Sequence, residues 1–257
     1  MIKIKTPEEI ELMRRAGAIV AQTLDFVGQN LRAGMTTGDV DKLVEDNILA
    51  AGAKPAFKGY RGFPASACVS IDEEVVHGIP GSRRLQDGDI VSVDVGVILD
   101  GWYGDSARTF AVGDISAEKR RLMDVTRESL ERGLAKVRNG ARLGEVSAAI
   151  QEYAESHGFS VVRDLVGHGI GQQMHEEPQV PNYGRPSDGP ILKTGMALAI
   201  EPMLNLGVFT VNTKADGWTI VTTDNKPSAH FEHTVAVTDD GCDILTVAPV
   251  STNGQAA

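Results

Sequence analysis

Two seven-residue stretches carry the first chemical signal. Gly88-Asp-Ile-Val-Ser-Val-Asp94 and Gly195-Met-Ala-Leu-Ala-Ile-Glu201 each run from a glycine through β-forming residues to a carboxylate six positions on. A carboxylate that ends an apolar strand is costly to desolvate unless its charge is shared. The same cost at two matching places points to a metal ion between them. Asp105 lies eleven positions after Asp94, on the strand expected to return from a glycine-rich turn, and Glu232 stands just ahead of Thr234 in the corresponding return strand. Four converging carboxylates repel by roughly 4 kcal/mol per close pair at an intermediate dielectric, and two divalent cations would turn that repulsion into binding. His168, in Gly167-His-Gly-Ile-Gly171, is the expected nitrogen ligand, its glycines letting the backbone turn sharply. Four hard oxygens with one imidazole suit manganese, iron(II), cobalt or zinc. A pair of such ions can activate a bridging water and hold a carbonyl oxygen.

Each residue also has a plainer reading. A single Asp or Glu at a strand end is usually a cap or a surface charge, and a His between glycines is usually a loop hydrogen-bonder. The second carboxylate pair changes the balance, because it stands where a duplication of the first would put it. Other apparent motifs fail. Gly104-Asp-Ser106 lacks the glycines of a nucleophile elbow. Gly167-His-Gly-Ile-Gly171 has neither the spacing nor the lysine of a phosphate loop, and Pro178 interrupts any zincin helix at His175.

The elements that must position these residues can be read in order. Thr6-Pro7-Glu8-Glu9 combines an N-cap, a first-turn proline and a capping-box glutamate, and predicts a helix to about residue 29. A second helix starts at Thr36 or Thr37 and stops at Gly52. Strands are expected over 67–70, 74–76, 90–99 and 106–112, with 100–104 as a turn, then helices from Ser116 to about 138 and from 143 to 157. Gly34, Gly38, Val40 and Gly52 recur as Gly140, Gly144, Val146 and Gly158, each displaced by 106, while the two opening stretches are displaced by 107. Thr109-Phe-Ala-Val resembles Thr234-Val-Ala-Val at a longer offset. This is an internal duplication: two helix-helix-strand halves, about 1–113 and 114–249, packed as one α+β domain around a pseudo-two-fold axis with the metal site between them. A short polar tail, 250–257, is expected to add nothing to the core.

Bulk properties exclude several classes. A formal charge of −10 argues against nonspecific nucleic-acid binding. Cys68 and Cys242 are too few and too far apart for a disulfide framework or a zinc ribbon. No stretch has the apolar length of a signal peptide or a membrane span, so a cytoplasmic protein is expected.

The ordered set Val76-His-Gly-Ile-Pro80, Asp94, Asp100-Gly-Trp-Tyr-Gly-Asp-Ser106, Gly167-His-Gly-Ile-Gly171, Met174-His-Glu-Glu-Pro178, Ala199-Ile-Glu-Pro202 and Phe231-Glu-His-Thr234 resembles that of the methionine aminopeptidases, within the M24 metallopeptidases. The likeness spans about residues 6–247. It implies the family's pita-bread fold, which is the duplicated arrangement above. It further implies that Asp94 and Asp105 ligate one metal ion and that Asp105, His168, Glu201 and Glu232 ligate the other, Asp105 and Glu232 bridging. Glu201 would also move the proton of the attacking water, His175 would polarise the scissile carbonyl, and His77 would hydrogen-bond the leaving side of the peptide. Tyr60, Phe63, Cys68, Met174 and Trp218 would line the methionine pocket, with core packing as the rival reading of these five. The implied reaction removes an N-terminal methionine ahead of a small second residue, from peptides and from nascent chains met in transient association with the ribosome. A monomer without nucleic-acid or membrane partners is implied. Phe57 stands where some members carry cysteine, Phe63 where tyrosine is common, Met174 where phenylalanine is frequent, and His230 where many carry glutamine.

Two rivals remain. Prolidases and X-Pro aminopeptidases share the metal set but generally carry a substantial N-terminal domain, for which the residues before Gly52 leave no room. A non-catalytic relative that binds protein or RNA would typically have lost ligands, and all five are present. Only 31 positions separate Glu201 from Glu232, which excludes the helical insertion of type II enzymes and indicates type I; no zinc-binding extension is expected ahead of Thr6.

Overall fold

The computed structural model describes residues 1–248, so the tail expected at 250–257 lies outside the described residues. In the first half, helices α1 (Pro7–Asn30) and α2 (Thr37–Ala50) precede β1 (Lys54–Pro55), β2 (Ala67–Ile71), β3 (Glu74–Val76), β4 (Ile90–Leu99) and β5 (Trp102–Ala111). The second half opens with α3 (Ala117–Leu134) and α4 (Leu143–Ser156), then β6 (Ser160–Val161), β7 (Gly167–Gly169), β8 (Glu176–Val180) and β9 (Ala197–Ile200). It continues with β10 (Met203–Asn205), β11 (Val211–Thr213), β12 (Ile220–Thr222), β13 (Ser228–His230), β14 (His233–Val237) and β15 (Cys242–Ile244). Among the described residues no helix is long and apolar enough to cross a membrane.

The helix starts follow their capping chemistry. The Thr6 hydroxyl accepts from the Glu9 N–H at 3.3 Å while the Glu9 carboxylate accepts from the Thr6 N–H at 2.9 Å. Thr36 and Asp39 make the same box for α2, each box being worth about 1 kcal/mol. The strand after the first turn starts earlier than expected, at Trp102 rather than 106. The chain needs only Asp100 and Gly101, both with positive φ, to reverse, so 102–105 is free to pair with 96–99. Helix α3 stops at Leu134 rather than near 138, because turn-type bonds to Gly133 and Leu134 carry the chain on to Gly140.

In β4 the alternation of a strand separates two jobs. Val91, Val93, Val95 and Val97 face α1 and α2 and are fully buried in the first half's core, each stabilising by roughly 1.5–3 kcal/mol. Ser92, Asp94 and Gly96 face the other way. The second half repeats this division: Leu198, Ile200, Val235 and Val237 pack in a core with residues of α3 and α4, and Ala197, Ala199 and Thr234 fill the alternate positions of β9 and β14.

The duplication is visible in the hydrogen bonds. Gly34 N–H donates to Leu85 O and Leu85 N–H to Met35 O, both at 2.8 Å; the same exchange links Gly140, Leu192 and Ala141 at 2.9 and 2.8 Å. Gly88 N–H reaches Val112 O at 2.8 Å, and Gly195 N–H reaches Val237 O at 3.0 Å. Gly88 and Gly195 both need φ near +90°, at 95° and 88°. The halves are then locked by reciprocal threonines. Thr234 Oγ1 donates to Asp105 O at 2.7 Å and accepts from Asp105 N–H at 3.1 Å. Thr109 Oγ1 treats His230 likewise, at 2.9 Å to both O and N.

Candidate metal centre and adjoining pocket

Asp94 is not at a strand end but fifth of the ten residues of β4. Its antiparallel partner is Ala107, and Asp105 is paired with Gly96. The two carboxylates are therefore diagonal neighbours on one face, the face turned from the helices. Glu201 does follow its strand directly, since β9 ends at Ile200 and Pro202 has no N–H with which to continue a ladder. Glu232 lies in the gap between β13 and β14, held by its N–H to Ala107 O at 3.0 Å and by the Ser106 hydroxyl donating to its carbonyl.

His168 sits in a strand rather than a sharp turn. β7 runs between β8 and β9, and a Cβ on Gly167 would come within 2.3 Å of Ala199 O, one on Gly169 within 2.2 Å of Glu177 O. The flanking glycines thus admit close neighbouring backbones. The His168 Nδ1–H donates to Gly169 O at 2.9 Å, which leaves Nε2 with a free lone pair. Nε2 is 3.8 Å from Asp105 Oδ2 and 3.7 Å from Glu201 Oε1. Asp105, His168 and Glu232 each offer a donor atom, all within 4.8 Å of one another.

The electrostatics are those of crowded anions. Burial pushes the Asp94 carboxyl up to about 7. Burial, followed by repulsion from Glu232 and Asp94, drives Asp105 well up; Glu201 and Glu232 rise by burial and then by repulsion from their acidic neighbours. Burial lowers His168 to about 4, keeping the ring neutral. Asp94 Oδ1, Asp105 Oδ1 and Glu232 Oε1 are buried without a hydrogen-bond partner. Orphaned carboxylate oxygens beside a bare imidazole nitrogen are what a cation would satisfy, so the donor set fits divalent metal ions.

These groups form the floor of a cavity of 160 Å³ whose walls include Tyr60, Phe63, Cys68, His77, His175 and Trp218. Phe63 meets Trp218 edge to face with centroids 5.1 Å apart. Cys68 is a buried free thiol. The Tyr60 hydroxyl is 2.8 Å from His175 Nδ1, and the His175 ring lies 4.2 Å from that of His168. His77 has φ 59°, a strained conformation for a non-glycine residue and a common mark of functional sites. Burial, then the neighbouring His175, lowers its ring to about 4.

Met174, expected in the pocket, does not line it. It is fully buried, and its methyl group lies behind Gly96, where a Cβ would approach it to 2.9 Å. Phe57 and Arg61 do line the cavity. Arg61 was invisible as a site residue; only its place between two glycines hinted at its left-handed φ of 48°. His230, 1 % exposed, has both ring nitrogens unpartnered, with Nε2 3.9 Å from Glu201 Oε2. Through Arg61, His168 and His175 the cavity continues into an open polar groove of 550 Å³.

The sequence profile of metallopeptidase family M24 matches residues 11–239. The methionine aminopeptidase 1 of Bacillus subtilis is 54% identical over 246 residues, covering 96% of this chain and 99% of the relative. The crystal structure of methionine aminopeptidase from Thermotoga maritima superposes with a TM-score of 0.95 at 50% identity, over 96% of this chain and 100% of that one. A prolidase from Pyrococcus furiosus shares the fold less closely, with a TM-score of 0.77 at 25% identity, and this chain covers 66% of it.

Proposed function

This chain belongs to metallopeptidase family M24, among the methionine aminopeptidases with their pita-bread fold, and from that premise we propose that it removes the N-terminal methionine from peptides and nascent chains with a small second residue. The observation that carries the reading is the meeting of Asp94, Asp105, His168, Glu201 and Glu232 on the floor of a small cavity with apolar walls. The residues are read as one catalytic domain, its halves meeting at the donors.

Asp94 and Asp105 would hold one divalent ion, and Asp105, His168, Glu201 and Glu232 the other, with Asp105 and Glu232 serving both. Bound there, the ions supply an activated water and Lewis-acid polarisation of the substrate carbonyl. The protein's groups do the rest. Glu201, which lines the cavity among the donors, takes the proton from the attacking water and returns it to the leaving amine. The Tyr60 hydroxyl lies 2.8 Å from His175 Nδ1; donating there, it would leave the ring hydrogen on Nε2, where it can meet the developing oxyanion. His77 holds the peptide on the leaving side. Phe63, Trp218, Cys68 and Tyr60 enclose the flexible, polarizable methionine side chain, and the polar groove beyond His175 takes the rest of the chain. The protein acts as a cytoplasmic monomer that meets nascent chains in transient contact with the ribosome.

The test is methionine release from Met-Gly-Met-type and Met-Pro-type peptides, with and without chelator. Metal-dependent release from the first is expected; cleavage of Xaa-Pro bonds regardless of methionine would replace this reading with a prolidase-like one. Asp105→Ala and Glu232→Ala are each expected to lose bound metal and activity together, and retained activity in either would remove its bridging role.

A further inference from the structure

Glu176 directly follows His175, and its carboxylate is tied into the fold by a cation from the other end of the chain. Lys5 Nζ lies 2.8 Å from Glu176 Oε2, with only 3% and 4% of the two side chains exposed. The second oxygen, Oε1, accepts from the N–H groups of Gln172 and Gln173 at 3.2 and 3.3 Å. It also lies 3.5 Å from the more exposed Lys3 Nζ. One buried carboxylate thus closes the loop 171–176 upon itself and fastens it to residue 5. The path of Lys5 is cleared on both sides by glycine. A Cβ on Gly171 would come within 2.7 Å of Lys5 Cε, and one on Gly195 within 2.6 Å of Lys5 O. The Lys5 N–H is itself held by Gly195 O at 2.8 Å.

An ion pair with so little of either side chain exposed often adds no more stability than apolar side chains of similar volume. Its distinctive effect is geometric: a carboxylate with partners on both oxygens admits one arrangement of the loop that carries it. We propose that Lys5 and Glu176 are positioning residues for His175, holding the 171–176 loop so that the imidazole stands between Tyr60 and His168 and faces the substrate carbonyl. The inference rests on the methionine aminopeptidase reading for its kinetic arm, but its structural arm is independent of turnover.

The experiment compares wild type with Lys5→Met, alone and in a His175→Ala background, using protein purified and reloaded with manganese. Lys5→Met is expected to lower kcat on Met-Gly-Met at least tenfold, leave KM within twofold, and leave metal stoichiometry unchanged, because neither Lys5 nor Glu176 is a ligand. In the His175→Ala background the same substitution is expected to cost less than twofold, the non-additivity of residues acting through one group. An equal loss in both backgrounds, or an unchanged kcat, overturns the proposal. Should Lys5→Met not fold, Glu176→Gln, which keeps the shape and an acceptor for the loop N–H groups, is read through the same cycle. The ring-proton resonances of His175, recorded on zinc-loaded protein so that no paramagnetic ion broadens them, give the structural arm. They are expected to shift in either variant while those of the remote His157 stay in place, and unmoved His175 resonances also overturn the proposal. Absence of methionine release by wild type refutes the functional reading alone, since the resonance comparison still decides this one.

Discussion

Removing the metal ions should make the protein less stable as pH rises, against the usual trend for a carboxylate that folding stabilises. In the metal-free fold Asp94 is raised from 3.8 to about 7. The unfolded chain therefore releases this proton first, binds fewer protons than the native state between those values, and gains relative to it as pH climbs. At about 1.4 kcal/mol per pH unit, a shift of about 3 units costs the folded state on the order of 4 kcal/mol by pH 8 relative to pH 4. Asp105, Glu201 and Glu232 act in the same direction. For a chain of this size about 4 kcal/mol is roughly a 10 °C change in Tm. Deprotonated donors bind cations, so the metal-loaded protein should show no such fall, and the gap between the two forms should widen with pH. Calorimetric scans of chelated and manganese-loaded protein between about pH 5 and pH 8 measure this. Asp94→Asn should flatten part of the chelated curve. A chelated Tm that is constant or rising across that interval would refute the claim that the carboxylates are crowded without compensation.

Two further outcomes follow from the geometry. Thr234→Val deprives the buried Asp105 N–H and C=O of their shared partner and should cost about 1–3 kcal/mol in urea unfolding; Thr109→Val should cost a similar amount, and a negligible effect of both would show that the clasp does not hold the halves. Tyr60→Phe removes the hydroxyl at His175 Nδ1 and should lower kcat on Met-Gly-Met by about tenfold with little change in KM; a loss confined to KM would make Tyr60 a pocket wall only.

What could be read from the sequence was local chemistry and repetition. The capping box at Thr6, the helix start at Thr36 and the glycines at constant offset lie where they were expected, and the four carboxylates and His168 come together on one cavity floor. What could not be read depends on approach between distant segments. The glycines beside His168 suggested a turn because a sequence shows conformational freedom but not the backbones of β8 and β9 pressing on both sides. Asp94 looked like a strand end only from the seven-residue pattern, since the strand expected over 90–99 already ran past it; a buried mid-strand carboxylate is rare, and no local pattern marks the face that a metal site will compensate. Met174 and Arg61 exchanged places with expectation for the same reason: lining a cavity is a property of the enclosing walls. Lys5, in a polar segment beside Lys3, carries no sign of burial; only Glu176, 171 positions on, explains it.

The structure also separates what the duplication builds from what it leaves free. The reciprocal threonine clasps make Asp105 and His230 equivalent, each four residues before its own half's threonine, whereas the acid that joins the site from the second half is Glu232. Strand register shows the same departure on the other side. Ser92 of β4 pairs with Ser70, and the position equivalent to Ser92 in β9, Ala199, pairs with His168. Ser70 uses its hydroxyl to accept from the Gly78 N–H beside His77, a structural task, while His168 at the equivalent place turns a free nitrogen toward the acids. The two-fold relation therefore accounts for the scaffold, with helices outside, strands inside and glycines at the turns. A perfectly symmetric pair of halves would present equivalent donors on both sides. Moving the acid from position 230 to 232, into the break between β13 and β14, and placing an imidazole where the other half has Ser70 makes the donors unequal: oxygen alone from the first half, oxygen and nitrogen from the second. Under the proposed function, that inequality would leave Asp94 to hold metal and its counterpart, Glu201, to carry a proton.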